Sequence, residues 1–425
     1  MATFIPNEHQ VKIRAQAREF AQQVLGKANS TYSKYDDQSS RFRSTRSYYE
    51  QAVTAGYIQA QIPAGLGGSN SSLVDSAIVL EEQYAVDPSV SLTIAGTGLG
   101  LTPLILGGTP QLYEEFLQPF LSRSGAPLAS LVHSEPGGTA NWLEKGAPGL
   151  QTTAYEQDGK WFINGEKLWT TNSAGWDGKG ADLQCVVCRA VSPSGETGNE
   201  LHEAVVILLV TRDTIRENNP SAYSLIEEPE LVGHKAVSGP HTRFCEFVVP
   251  SKNLLAAPAE GAGLVEKAFG MSAGFVGAMS VGIMRAAFEN ALQFSKQDSR
   301  GGISPIIERQ SVADQLIAIK IQLDAARLLT WNAMDALQNG RENALEACLQ
   351  AKIFGSDNAV ESVVSAMKVI GITSYSEKWP LARILNEALC LSLFDGGNVG
   401  VRRRQYQSIL QGSDISAFQT GRESQ

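Results

Sequence analysis

The hydrophobic pattern changes period twice along the chain, and this limits the fold more than any other feature. Up to about residue 128, apolar residues recur at helical spacing, as at Ile13, Ala17, Phe20, Ala21 and Val24. A second stripe, Leu73, Ala77, Ile78 and Leu80, runs until Asp87-Pro88 stops it. From 129 to 250 the runs become short and alternating. Asp158-Gly159 and Asn164-Gly165 flank Trp161-Phe162-Ile163, a hairpin signal, and 204–210 and 244–249 read as further strands. Helical spacing returns over 262–298, 308–340 and 343–371. The 425 residues therefore predict an α+β chain of segregated parts. These are an N-terminal helical domain (1–128), a middle β barrel or sandwich (129–250) and a C-terminal helical bundle (251–425).

Two uncharged stretches raise the question of a membrane. Residues 88–113 hold five glycines and prolines 88, 103 and 110, and residues 268–284 hold glycines 270, 274, 277 and 282. Both are too rich in Gly, Ser and Thr for a good spanning helix, and the mean hydropathy is −0.12. They read as core, so no membrane is expected. A net charge of −9 argues against nucleic acid as a partner. Five cysteines cannot build a disulfide framework, and Cys185-x-x-Cys188 in the apolar run 183–187 reads as a half-buried strand. The five histidines show no zinc spacing, and no metal is expected. With no apolar leader and no familiar C-terminal address, the expected location is cytoplasmic. Gly96-Thr97-Gly98-Leu99-Gly100 follows no strand, which argues against a Rossmann site.

Three segments could carry chemistry. In residues 394–404, Asp395 follows Leu391, Leu393 and Phe394 and precedes a glycine pair that opens a helix. A desolvated carboxylate there makes a better base. Arg402, seven residues or two helical turns on, could return to the same face and grip it bidentately. The bland alternative is an Asp N-cap with a basic, solvated helix end. Residues 133–141, HSEPGGTAN, put glycines and hydroxyls at the join of two zones, where backbone N–H groups can approach a polar ring or phosphate. An ordinary Pro-Gly turn would look the same. Residues 165–173, GEKLWTTNS, end a strand with a Trp and two threonines, suited to a planar cofactor, although a lone Trp is more often core.

Together these segments resemble the acyl-CoA dehydrogenase superfamily over essentially the full chain. The resemblance implies a helical, β, helical arrangement, FAD as cofactor and a homotetramer. The family's flavin segment, roughly T-E-P-x-A-G-S-D, is similar to residues 134–140, with Thr139-Ala140 in place of Ser-Asp. Its W-x-T-N element matches Trp169 to Asn172, with Thr171 expected at the flavin N5 where close relatives carry Ser. Arg300 and Gln310 resemble an Arg and a Gln that reach the FAD of a neighbouring subunit, one residue short in spacing. The Q-x-x-G-G element appears as residues 368–372, beginning at Lys368 and keeping only Gly371. Flavin contacts are accordingly expected from Leu131, His133, Ser134, Gly138, Thr139, Trp169, Thr171, Arg300, Gln310, Lys368, Gly371, Phe394 and Asn398.

The sharpest departure is the base. Where the family carries Y-E-G-T with a catalytic Glu, this chain has Phe394-Asp395-Gly396-Gly397. A carboxylate set back by one methylene suits a carbon acid other than a thioester. Asp here, followed by Asn398 and Arg402, resembles the branch of the superfamily that oxidises nitroalkanes. That resemblance implies a small nitroalkane and O2 as partners, with Asp395 removing the α-proton and the carbanion adding to flavin N5. The implied products are an aldehyde or ketone, nitrite and hydrogen peroxide. Arg402 would be the charge partner of Asp395, and Ser272 would hydrogen-bond it. The competing expectations are an acyl-CoA dehydrogenase or oxidase that uses Asp, and a flavin-binding protein without turnover.

Overall fold

Asn7 opens the first helix, Glu8–Gln23, through a capping box with Gln10. The apolar stripe of this helix brings Ala17 and Ala21 inside. The structure is a computed structural model and describes residues 5–196 and 200–412. The expectations about the chain's first four and last five residues lie outside these. Short helices follow to Thr54, and then two longer ones, Leu73–Tyr84 and Pro88–Gly107. Asp87 accepts from the Val90 N–H at 2.9 Å, and Pro88 fills the first helical position. The pair that halts one helix thus starts the next.

The run at 96–100 lies in the middle of the Pro88–Gly107 helix. A Cβ on Gly100 would come within 2.2 Å of the Ser130 main-chain nitrogen, and one on Gly98 within 1.8 Å of Gln61 Oε1. Gly100 lets the helix lie directly on the strand β1 (Ala129–Val132), and Gly98 makes room for the Gln61 side chain. The apolar windows of Pro88–Gly107 and Gly261–Gln297 are 67% and 78% buried, so both uncharged stretches are helices of the core.

The middle segment forms an eight-stranded sheet. Besides β1, its strands are β2 (Thr153–Gln157), β3 (Lys160–Lys167), β4 (Leu183–Ala190), β5 (Val205–Thr211), β6 (Tyr223–Glu227), β7 (His241–Pro250) and β8 (Leu254–Ala256). The order is β6-β7-β3-β2-β4-β5-β8, with β1 parallel to β4 beyond the end of β2. β8 pairs with β5, so the sheet extends past residue 250.

Asp158 and Gly159, with φ of 51° and 71°, form the two-residue turn between β2 and β3. Asn164-Gly165 differs from its expected role as a turn. It is a bulge inside β3, where the register against β7 shifts. Asn164 bonds across to Glu246, and a Cβ on Gly165 would meet Thr152 Cα at 2.6 Å. Strand β4 also differs from the expected half-buried strand, because its first six residues are all buried. Cys185 belongs to the core shared with the N-terminal helices, and Cys188 to the core on the opposite side of the sheet. Burial pushes both thiols up to about 12, and they are inert packing groups.

The last part packs the helices Gly261–Gln297, Gln310–Gln338, Ala344–Ile370 and Leu381–Leu391 with Leu73–Tyr84 around one apolar core. Glycines 274 and 277 bring the first of these against Cys348 and Ala351 of the Ala344–Ile370 helix. Charge crosses the bundle where Arg285 reaches Glu82 at 2.8 Å and Arg327 reaches Glu81 at 2.8 Å.

Candidate active site

The Leu381–Leu391 helix ends just before the segment that carries Asp395. Asp395, Gly396 and Gly397 have φ of 53°, 85° and 63°, three successive left-handed residues. Glycine adopts this region freely and Asp is among the side chains that tolerate it. A π-helical turn, Gly397–Arg402, follows and runs into the helix Arg403–Leu410. Arg402 therefore returns to Asp395 through a left-handed turn and one wide turn, rather than through two α-helical turns.

Asp395 is no helix cap, since no side chain caps this turn. Its carboxylate accepts from the Ser272 hydroxyl and from Arg402 Nη2 at 2.9 Å. The Asp395 side chain is 4% exposed and that of Arg402 1%. The expected bidentate grip is absent. Arg402 places one nitrogen on the carboxylate, and its Nε donates to the Asp395 main-chain carbonyl at 2.8 Å. The left-handed turn aims that carbonyl at the guanidinium. Arg402 is completed by the Phe269 carbonyl at 3.0 Å and Gln405 Oε1 at 3.1 Å.

This carboxylate lies on the wall of a cavity of about 1890 Å³. Ser272, Phe394, Asp395 and Arg402 line it, as do Leu131, His133, Ser134, Gly138, Thr139, Trp169 and Thr171. Apolar side chains continue the wall at Leu99, Phe269, Met271, Phe275 and Met279. Gly96 makes room for Thr171, because a Cβ there would stand 2.8 Å from the Thr171 methyl.

The loop from His133 is pinned by Lys167 and Glu135, two residues that the sequence pattern did not mark as functional. Lys167, fully buried, donates to the His133 carbonyl at 2.9 Å, to Glu135 Oε1 at 3.0 Å and to the Val187 carbonyl at 2.7 Å. Glu135 also accepts from the Gln151 and Thr152 amides at 2.7 and 2.9 Å. Burial pulls the Glu135 carboxyl upward, but Lys167 and these amides outweigh it and hold the group below the usual carboxylate range. Charged side chains (Glu135, Glu166 and Lys167) in segments otherwise rich in glycine and hydroxyls were the available signal. Burial, aided by Lys167, pushes His133 down to about 3, so its ring is neutral near pH 7.

Five expected flavin residues lie outside the cavity lining. Arg300 donates to the Ile370 carbonyl and stands 4.5 Å over the Phe294 ring. Gln310 reaches Asp314 at 2.7 Å, and Lys368 and Gly371 are exposed. Asn398 is buried behind the base, donating to Ser356 Oγ at 2.8 Å and Asp357 Oδ1 at 2.9 Å. Within one chain the first four cannot complete the site, and Asn398 ties the turn that carries Asp395 to the Ala344–Ile370 helix behind it.

The cavity fits a flavin dinucleotide with a small substrate beside it. Its volume exceeds the roughly 300–1,000 Å³ of an ordinary ligand site. Gly138, with φ 82°, faces open space where a Cβ would project. His133 Nε2 is buried without a partner among the described residues, and Trp169 keeps 53% of its surface exposed.

An α+β chain with this cavity between its helices and sheet is an acyl-CoA dehydrogenase-type FAD flavoenzyme. The N-terminal and C-terminal domain profiles of acyl-CoA dehydrogenase match residues 7–124 and 259–409. Within that class the chain belongs to the nitroalkane oxidase family. It is 52% identical to nitroalkane oxidase of Fusarium oxysporum over 98% of this chain and 97% of that one. It is 48% identical to the enzyme of Podospora anserina over 93% and 92%. A crystal structure of nitroalkane oxidase in complex with spermine, a competitive inhibitor, superimposes with a TM-score of 0.95 at 52% identity, covering 98% of each chain.

Proposed function

We propose that this protein oxidises neutral primary and secondary nitroalkanes with O2 and water, giving an aldehyde or ketone, nitrite and hydrogen peroxide. The observation that carries this reading is the Asp395 carboxylate, buried on the cavity wall with Ser272 and Arg402 on its oxygens. Asp395 takes the proton from the carbon bearing the nitro group. Ser272 and Arg402 hold the carboxylate aimed at that carbon. The wall of Leu99, Phe275 and Met279 binds a short alkyl chain and excludes water from the carbanion as it forms.

Leu131, His133, Ser134, Gly138, Thr139, Trp169, Thr171 and Phe394 would hold the FAD, which supplies an acceptor for the substrate's electrons and passes them to O2. Arg300, Gln310, Lys368 and Gly371, remote from the cavity of their own chain, would contact the cofactor of a neighbouring subunit, which fits a homotetramer. The test follows nitrite and oxygen together on neutral nitroethane, with an acyl-CoA thioester in parallel. Equal nitrite release and oxygen uptake support the assignment. Flavin reduction by the thioester alone would overturn it in favour of a dehydrogenase or oxidase that uses Asp.

A further inference from the structure

We infer that Lys352 is a positioning residue for the base, clamping the peptide before Asp395 as Arg402 clamps the peptide after it. This inference rests on the reading of Asp395 as the base. Lys352 lies on the Ala344–Ile370 helix and is fully buried. Its Nζ donates to the Phe394 carbonyl at 2.9 Å and lies 3.4 Å from Asn398 Oδ1. Both main-chain carbonyls flanking the Asp395 Cα are thus held by buried cations, Phe394 O by Lys352 and Asp395 O by Arg402. Asn398, itself tied to Ser356 and Asp357 on the Lys352 helix, fixes the far side of the turn.

A left-handed Asp followed by two left-handed glycines has no regular ladder to hold it, and such a turn persists only where its surroundings over-determine it. An ammonium deep in a helix bundle is costly, and a packed helix would be served as well by Met or Leu. The position gains from the charge only if the carbonyl and the nearby carboxylate need it. Burial lowers the Lys352 ammonium to about 8, and the Asp395 carboxylate opposes that shift. The charged and titratable groups facing it are Asp395 and Arg402 from the turn, Asp357 on its own helix, and Cys390 on Leu381–Leu391. The packed face of Gly261–Gln297 brings glycines 274 and 277 against this helix. Lys352 and Arg402 therefore put two positive charges beside one catalytic carboxylate.

The test uses Lys352→Met and Lys352→Gln in the FAD-loaded enzyme, the second keeping a neutral donor for the Phe394 carbonyl. With neutral nitroethane, kcat/KM falls by at least about tenfold in the Met variant. The Gln variant recovers part of that loss, and the acid limb of kcat/KM against pH moves to higher pH in both. Preformed ethyl nitronate, which has already lost its proton, reacts with both variants at the wild-type rate. Equal losses on nitroethane and nitronate, or an unmoved acid limb, would reduce Lys352 to a packing residue and overturn the inference. Asp395→Asn is measured alongside. If it loses nitroethane turnover while the Lys352 variants behave as wild type, only the Lys352 inference falls. If it keeps that turnover, both readings fall.

Discussion

Replacing Asp395 by Glu tests whether the carboxylate must sit where the structure holds it. The change inserts one C–C bond, about 1.5 Å. The wild-type oxygens rest on Ser272 and, at 2.9 Å, on Arg402, in a side chain that is 4% exposed. The backbone cannot retreat to compensate, because Arg402 Nε holds the Asp395 carbonyl at 2.8 Å. The longer side chain must fold back or overshoot into the cavity, and either displaces the oxygens by about 1 Å. A misplacement of that size costs about 100-fold in rate, or about 2.7 kcal/mol of transition-state stabilisation. The assay is the initial rate of nitrite release from neutral nitroethane, normalised to bound FAD. A Glu variant with full FAD and the wild-type kcat/KM would refute the argument that these partners fix the position of the base.

Three further outcomes are expected. Ser272→Ala removes a hydroxyl donor from the carboxylate, a loss of about 1.5 kcal/mol that lowers kcat/KM on nitroethane about tenfold with FAD retained; an unchanged rate would mean that this hydrogen bond does no catalytic work. Gly100→Ala drives a methyl to 2.2 Å from Ser130 N and 2.3 Å from the Ala129 carbonyl carbon. It should cost about 3 kcal/mol or more in urea unfolding, and a wild-type midpoint would show that the helix does not rest on β1 as described. His133 has a folded pKa of about 3, below its ordinary 6.5, so the unfolded chain takes up the proton first. Its contribution is complete above pH 6.5 and is lost as the pH falls toward 3, at up to about 1.4 kcal/mol per pH unit. His133→Leu should flatten the decline in unfolding free energy between pH 7 and 4, and parallel curves for the two proteins would rule the effect out.

Local chemistry was legible wherever near neighbours decide it. The change from helical to alternating period placed the sheet between two helical parts, and Asp158-Gly159 marked a real two-residue turn. The motif at 394–402 was visible as a carboxylate in an apolar setting with an Arg seven residues on. What they form was not visible. Asp395 could equally have capped a helix, and the choice went the other way because Ser272 arrives from a helix 123 residues earlier in the chain. Asn164-Gly165 carries the same turn chemistry as its neighbour, yet Glu246 on β7 and Thr152 beside it make it a bulge. Lys352 gave no signal, since a lysine on a helix ordinarily faces water. It is buried where the turn at 394–398 closes over it and takes its ammonium. By itself the sequence determined period, turns and the kinds of groups available, because those depend on residues a few positions apart. Only the tertiary structure decided which polar groups lose their water and which partners replace it, because desolvation depends on what distant segments pack against them.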